Sequence, residues 1–311
     1  MNNNVLGLHH ITAIAINAQR NLDFYTHILG LKFVKKTVNF DDPHTYHFYY
    51  GNYNAEPGSI LTFFPMENIS QGRKGAGQAT EFGFSIPEDS LHFWLDRFEK
   101  NGIIYNKASK KMDEQYITVL DPDGLKMELT ATKNIDFRKG NTNLEISEND
   151  AIKGFHSTTL TLNDIKATAD ILINILDYKL EKQEVNRYRF INENSNTANI
   201  IDLVELPNEK RGHVAGGSVH HVAFRVKDDE TQMKLHQKLE DAGLNVTEQI
   251  DRNYFHSLYF REPGGVLFEI ATDNPGFTVD EAFENLGKDL KLPNKYESMR
   301  GEIEKNLPSL K

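Results

Sequence analysis

Two stretches that read almost alike, His9-His10-Ile11-Thr12-Ala13-Ile14 and Val219-His220-His221-Val222-Ala223-Phe224, decide the fold. Both alternate in the manner of a half-buried strand. Each leads into a helical pattern: residues 21–29 put Leu22, Tyr25 and Leu29 on one face and stop at Gly30, and residues 230–242 stop at Gly243. Behind the first helix come three strand-like runs, residues 32–39, 46–51 and 59–64, separated by the turn chemistry of Asp41-Asp42-Pro43 and Glu56-Pro57-Gly58. The unit is strand, helix, three strands. The copy that opens at Val219 closes with Glu262-Pro263-Gly264-Gly265 and a strand over residues 266–272.

Two further copies lie between them. One opens at Glu81-Phe82-Gly83-Phe84, has its helix near residues 90–100 before Gly102, and closes with Asp121-Pro122-Asp123-Gly124 and residues 125–130. The other opens at Gly154-Phe155-His156 and closes with residues 200–206. The expected division is an N-terminal half of two modules (1–135), a linker (136–150), a C-terminal half of two modules (151–273) and a tail (274–311). The linker is polar with mixed charge, and the tail is partly helical, broken at Pro293 and Pro308, with no chemistry assigned to it. The fold class expected is α+β: four βαβββ modules paired into two cup-shaped sheets. One helix covers one face of each small sheet, so the open faces of two units curl into a cup, and convergent strand side chains make such a cup a natural small-molecule site.

Composition narrows the function. The chain has 311 residues, 39% hydrophobic and 26% charged, enough for a packed core. With 35 basic and 45 acidic residues the formal charge is −10, which argues against a general nucleic-acid binder. There is no cysteine, so disulfides, thiolate zinc sites and cysteine nucleophiles are excluded, and any metal must sit on His, Asp or Glu. No signal-peptide pattern and no apolar run of membrane-spanning length is present, so neither nucleic acid nor membrane is an expected partner, and the cytoplasm is the expected location. A homo-oligomer is compatible with the sequence.

Strand parity sorts the histidines. Val222, Phe224 and Val226 are in phase with His220 and apolar, as a helix-packed face should be, so His221 faces the cup. The matching register of the repeat gives His10 the same direction. Glu269 alternates with Phe268 and Ile270 and lies on the polar side of an apolar strand. Two histidines and one carboxylate are the donor set that leaves open positions on a non-haem iron(II) for substrate and dioxygen. The competing reading makes the histidines ordinary strand residues and pairs Glu269 with an arginine such as Arg225. How the modules pair decides the third ligand: His10 if the first and fourth share a cup, His156 if the third and fourth do. In the former case the other cup would gather Glu81, Glu128 and His156. By the same parity Tyr259, His47 and Tyr49 face a cup, and His256 faces away.

The repeated units resemble the vicinal oxygen chelate superfamily, which includes glyoxalases, bleomycin-resistance proteins and type I extradiol dioxygenases. Residues 258–269, Leu-Tyr-Phe-Arg-Glu-Pro-Gly-Gly-Val-Leu-Phe-Glu, resemble the second half of the extradiol signature, where an aromatic-bearing strand, a Pro-Gly turn and a metal-binding glutamate follow in order. The histidine that signature places several residues before Leu258 is missing; Asp251 and Arg252 stand near its place. Residues 34–43 and 251–255, with the tail, resemble the hydroquinone-type ring-cleaving dioxygenases of Gram-positive bacteria, and this resemblance spans nearly the whole chain. It implies an enzyme that uses Fe2+, with Mn2+ as the second option, to cleave a small hydroquinone-like aromatic substrate with O2. It also implies His10, His221 and Glu269 as metal ligands, with Tyr259 and His47 moving or stabilising protons. Together with the near identity of the two histidine doublets it favours His10 over His156. A glyoxalase-type isomerase or lyase and a non-catalytic ligand-sequestering protein are the alternatives.

Overall fold

The computed structural model describes residues 4–133 and 136–311, so the first three residues and the expected boundary at residue 135 lie outside the described residues. The first module comprises β1 (Val5–Ala15), α1 (Ala18–Asp23), β2 (Lys32–Val38), β3 (Tyr46–Gly51) and β4 (Ile60–Pro65). The second has β5 (Gln78–Pro87), α2 (Leu91–Lys100), β6 (Ser109–Lys111), β7 (Glu114–Leu120) and β8 (Lys126–Thr132). The third has β9 (Gly154–Leu162), α3 (Lys166–Asn174), β10 (Tyr178–Glu184), β11 (Arg187–Asn192) and β12 (Ile200–Glu205). The fourth has β13 (Ser218–Val226), α4 (Asp229–Asp241), β14 (Ile250–Asp251), β15 (Phe255–Arg261) and β16 (Leu267–Pro275). In the tail, 3₁₀ turns at Phe283–Asn285 and Asn294–Met299 precede α5 (Arg300–Asn306).

The fold is α+β, and its strands form two eight-stranded sheets. In the first the order is β14-β15-β16-β13-β1-β4-β3-β2, and in the second β10-β11-β12-β9-β5-β8-β7-β6. The first module therefore joins the fourth and the second joins the third. Each sheet takes one module from either half of the chain. The seams are the antiparallel pairs β1/β13 and β5/β9, and each outer strand reaches its seam by a parallel pairing, β4 on β1 and β16 on β13.

Helix α1 starts earlier than the apolar period suggests. Asn17 caps it, its side-chain oxygen accepting from the backbone N–H of Arg20 at 2.9 Å, and the weakly apolar residues of the first turn hide this start from a periodicity argument. It then widens into a π turn over Phe24–Ile28, which ends at Gly30 with φ +69°, a left-handed value glycine takes without strain. Helix α4 follows the simpler rule: Asp228 accepts from Thr231 N–H, and Gly243 at φ +79° lies just beyond the end.

Trp94 is fully buried under the second sheet, its indole N–H donating to Asp150 O at 2.9 Å, and Phe84 stacks on Phe155 with ring centroids 5.2 Å apart. Each such ring contributes about 1.5–3 kcal/mol of hydrophobic stabilisation. Asp150 belongs to the expected linker, which is largely exposed but anchored at a few points. Within it Ile146 is buried, and the Arg138 guanidinium donates to Gly58 O and Phe155 O, both at 2.8 Å.

The tail is a strap over the outer end of the first cup. Lys35 on β2 is wholly buried, and its Nζ donates to Asp280 Oδ1 at 2.6 Å and Glu281 Oε2 at 2.5 Å. Tyr254 O–H donates to Asp280 Oδ2 at 2.9 Å, and Phe277 stacks on the Tyr254 ring at 5.3 Å. None of the described helices is long and apolar enough to cross a membrane.

Candidate metal centre

Two β-bulges build the site. Along β1/β13, Leu8 opposes Phe224 and His10 opposes Ala223, so His9 is the extra residue of a bulge. Thr12 opposes His221 and Ala13 opposes Val219, so His220 is the extra residue of a second bulge on the other strand. Strict alternation would send His9 and His220 to the helix-covered face. The bulges instead turn each beside its neighbour, His9 Nδ1 at 2.9 Å from His10 Nδ1 and His220 Nδ1 at 2.8 Å from His221 Nδ1. The seam's approximate two-fold symmetry thus repeats one device on both strands.

That device fixes tautomers. His9 Nε2 lies 3.1 Å from Thr272 O, a carbonyl that can only accept, and burial lowers the His9 pKa well below its usual value, so His9 is neutral with its proton on Nε2. Its Nδ1 must then accept from His10 Nδ1–H. His10 is left with a bare lone pair on Nε2, aimed into the cup. Burial likewise depresses His220, to about 3, and His221.

Three ligand atoms meet at the centre. His10 Nε2 is 3.2 Å and His221 Nε2 2.9 Å from Glu269 Oε2, and the two nitrogens are 3.3 Å apart. Ser257 Oγ–H donates to Glu269 Oε1 at 2.5 Å, whereas Oε2, fully buried, has no hydrogen-bond partner among the described residues. Imidazole lone pairs gathered round an unpartnered carboxylate oxygen repel one another unless a cation lies between them. Two nitrogens and one oxygen suit a first-row divalent metal.

Around the centre, His47 Nε2 is 3.0 Å from Thr62 Oγ1, which is 2.7 Å from Thr12 Oγ1, and Tyr49 Oη is 3.0 Å from His47 Nδ1. The Tyr259 ring lies 5.6 Å from the His221 ring, with the Arg252 guanidinium 5.4 Å from its centroid. Burial, together with Glu269, raises the Tyr259 phenol above its usual range, and burial keeps His47 well below its own. His256 bonds Asp229 at 2.5 Å at the start of α4, on the helix side as parity expects. Arg225 pairs with Asp273 at 2.7 and 2.8 Å, so it is not the partner of Glu269.

The second cup is arranged differently. The ladders set Gly83 opposite Glu128 just as they set Ala223 opposite Glu269, so Glu81 and Glu128 take the places of His221 and Glu269. An ammonium is held between them: Lys111 bonds Glu128 and lies 3.8 Å from Glu81, which also takes Lys126 and, at 3.0 Å, Arg187. His156 is the bulge residue between Ser157 and Phe155, corresponding to His9 rather than His10, and its Nε2 bonds Glu114 at 2.8 Å. Among the described residues, one set of His, Asp and Glu converges closely enough for a metal, His10, His221 and Glu269, with ligand atoms within 4.8 Å of one another. Parity reasoning missed His9, His220 and Arg252; the only sequence signal for the first two was the histidine doublet, which a bulge explains and alternation does not.

The family model described as the glyoxalase/bleomycin resistance protein/dioxygenase superfamily matches residues 7–129 and 154–270. The chain is similar to MhqE of Bacillus subtilis (strain 168), provisionally named a ring-cleaving dioxygenase, at 44% identity over 307 residues, 98% of this chain and 99% of that protein. It is 33% identical over 307 residues to the chlorohydroquinone/hydroquinone 1,2-dioxygenase of Sphingobium indicum, covering 96% of this chain and 95% of the relative. A crystal structure from Bacillus subtilis, also provisionally described as a dioxygenase, matches 99% of this chain and 98% of its own with a TM-score of 0.95 at 41% identity. The repeated modules, the two cups and these likenesses agree: the chain belongs to the glyoxalase/bleomycin resistance protein/dioxygenase superfamily.

Proposed function

We propose that this protein is a metal-dependent dioxygenase that opens the ring of a hydroquinone-like aromatic diol with O2, with His10, His221 and Glu269 holding iron(II) or, second, manganese(II). The observation that carries the reading is the convergence of two imidazole nitrogens on a buried carboxylate oxygen that has no other hydrogen-bond partner among the described residues. The name of the Sphingobium relative supports the choice of diol. Held by these three residues, such an ion would supply Lewis acidity toward a diol hydroxyl and the means of activating dioxygen.

The chain's own groups then have distinct tasks. His9, anchored to Thr272 O, holds the His10 imidazole in the tautomer that offers Nε2, and His220 supports His221 through the matching Nδ1 contact. Tyr259 keeps its proton because burial raises its phenol, so it serves as a hydrogen-bond donor to oxygen that gains charge during ring opening. Tyr49 also stays protonated by burial and donates to His47 Nδ1, which leaves His47 with its proton on Nε2. From there a hydroxyl path runs through Thr62 to Thr12, the residue opposite His221. Phe255, with its ring 4.9 Å from that of His10, excludes water from the inner side of the centre.

Anaerobic loading with Fe2+ or Mn2+, followed by oxygen uptake on adding 2-methylhydroquinone, tests the proposal. Uptake should require the metal and vanish in His10→Ala, His221→Ala and Glu269→Ala, while His156→Ala keeps it. Metal binding without oxygen uptake, with turnover of a glyoxalase-type thioester-forming substrate instead, would replace this reading by the isomerase one.

A further inference from the structure

The centre of the first cup is buried, as His10, His47, Thr62, His221 and Glu269 all are, whereas beside it Phe64, His220, Arg252 and Tyr259 are only half-buried. These four therefore rim the opening through which a ligand reaches the centre. Phe64 lies in phase with Thr62 on β4 and packs at a tilt against His47 with centroids 4.4 Å apart, while it meets the His220 ring edge-on at 6.0 Å. It is the one member of the rim with no polar group. Its partners there either bond the ligand histidines or carry a charge or a hydroxyl; Phe64 can supply only area and shape.

We propose that Phe64 is the specificity-determining wall of this site, setting the size of the ring substituent that the cup admits. The inference rests on the dioxygenase reading for its choice of ligand. A diol with its hydroxyl toward His10, His221 and Glu269 directs its remaining ring positions at the mouth, and a substituent there meets the Phe64 ring. That ring cannot retreat inward, because the His47 imidazole lies against it and is itself tied to Thr62 and Tyr49. A pocket wall fixed in this way discriminates by roughly tenfold or more per extra carbon group, and truncating it should relax that discrimination.

The test compares 2-methylhydroquinone with 2-tert-butylhydroquinone in two measurements, kcat/KM from oxygen uptake and anaerobic dissociation constants on the Fe2+-loaded protein. In Phe64→Ala the preference for the methyl compound should fall at least about tenfold in both measurements, with metal content unchanged. Phe64→Leu, which keeps most of the apolar volume, should fall between wild type and Phe64→Ala and serves as the probe if the alanine variant does not fold. If wild type consumes oxygen but the preference moves less than about twofold in either variant, Phe64 is not the selecting wall and the dioxygenase reading stands. If the diols bind with a Phe64-dependent preference and no oxygen is consumed, the wall is confirmed and the dioxygenase reading falls.

Discussion

His9 and His10 meet Nδ1 to Nδ1 at 2.9 Å, and because His9 is anchored through Nε2 to Thr272 O at 3.1 Å, this contact decides which nitrogen His10 presents to the cup. His9→Ala removes the acceptor and frees the imidazole to rotate or change tautomer. Divalent-metal affinity, measured by competition with a chelator, should then weaken about 10–100-fold, the usual cost of losing a supporting hydrogen bond. His9→Asn, whose amide oxygen can still accept from Nδ1–H, should recover part of it. Unchanged affinity in His9→Ala would mean that packing alone orients His10.

Tyr259 faces Glu269 across the β15/β16 ladder and stays protonated because burial raises its phenol. Tyr259→Phe keeps the ring and should keep the metal, while turnover falls by about a hundredfold or more if the hydroxyl is a positioned donor. Oxygen uptake at equal metal occupancy checks this. An unchanged rate removes the hydroxyl from the reaction and leaves His47 as the remaining proton-handling group.

The wholly buried Lys35 ammonium holds the strap through Asp280 and Glu281. Lys35→Met removes the cation and leaves buried Glu281 without its partner, which should cost about 3–5 kcal/mol in urea unfolding. A loss under about 1 kcal/mol would show that the strap's apolar contacts through Phe277 hold it unaided.

A pH dependence follows from Asp121, whose carboxyl burial raises to about 7 although it accepts from Asp123 and Leu125 N–H and from Tyr25 Oη. An acid with a higher pKa folded than unfolded binds its proton more tightly in the folded state. Its favourable contribution is complete below pH about 4, declines as pH rises, and is gone above about 7. Between pH 5 and 7 the wild-type protein should lose about 2–3 kcal/mol more stability than Asp121→Asn. Parallel losses in the two proteins would show that the carboxyl is ionised throughout.

Much of this was legible in the chain itself. The four modules, their helices and the doublets His9-His10 and His220-His221 are periodic local signals, and parity alone directs His221 and Glu269 to one face. Three features were not legible, for physical reasons. Bulge positions depend on how two strands distant in sequence register against each other, so His9 and His220 were sent to the wrong face. The placing of Lys111 between Glu81 and Glu128 in the second cup needs β6 and β8 brought together, which no spacing reveals. The strap's role lies in a buried Lys35 whose partners are some 245 residues away. Each is a long-range pairing with no local pattern.

On the proposed function, the first cup inserts both atoms of dioxygen into the ring of a diol. The most direct measurement is mass spectrometry of the product formed from 2-methylhydroquinone under 18O2 by the Fe2+-loaded protein. A ring-opened product carrying two labelled oxygens in its first-formed state, and no product from Glu269→Ala, is the result predicted. Unlabelled methylbenzoquinone with release of hydrogen peroxide would contradict it, because the diol would then have been oxidised with its ring left closed.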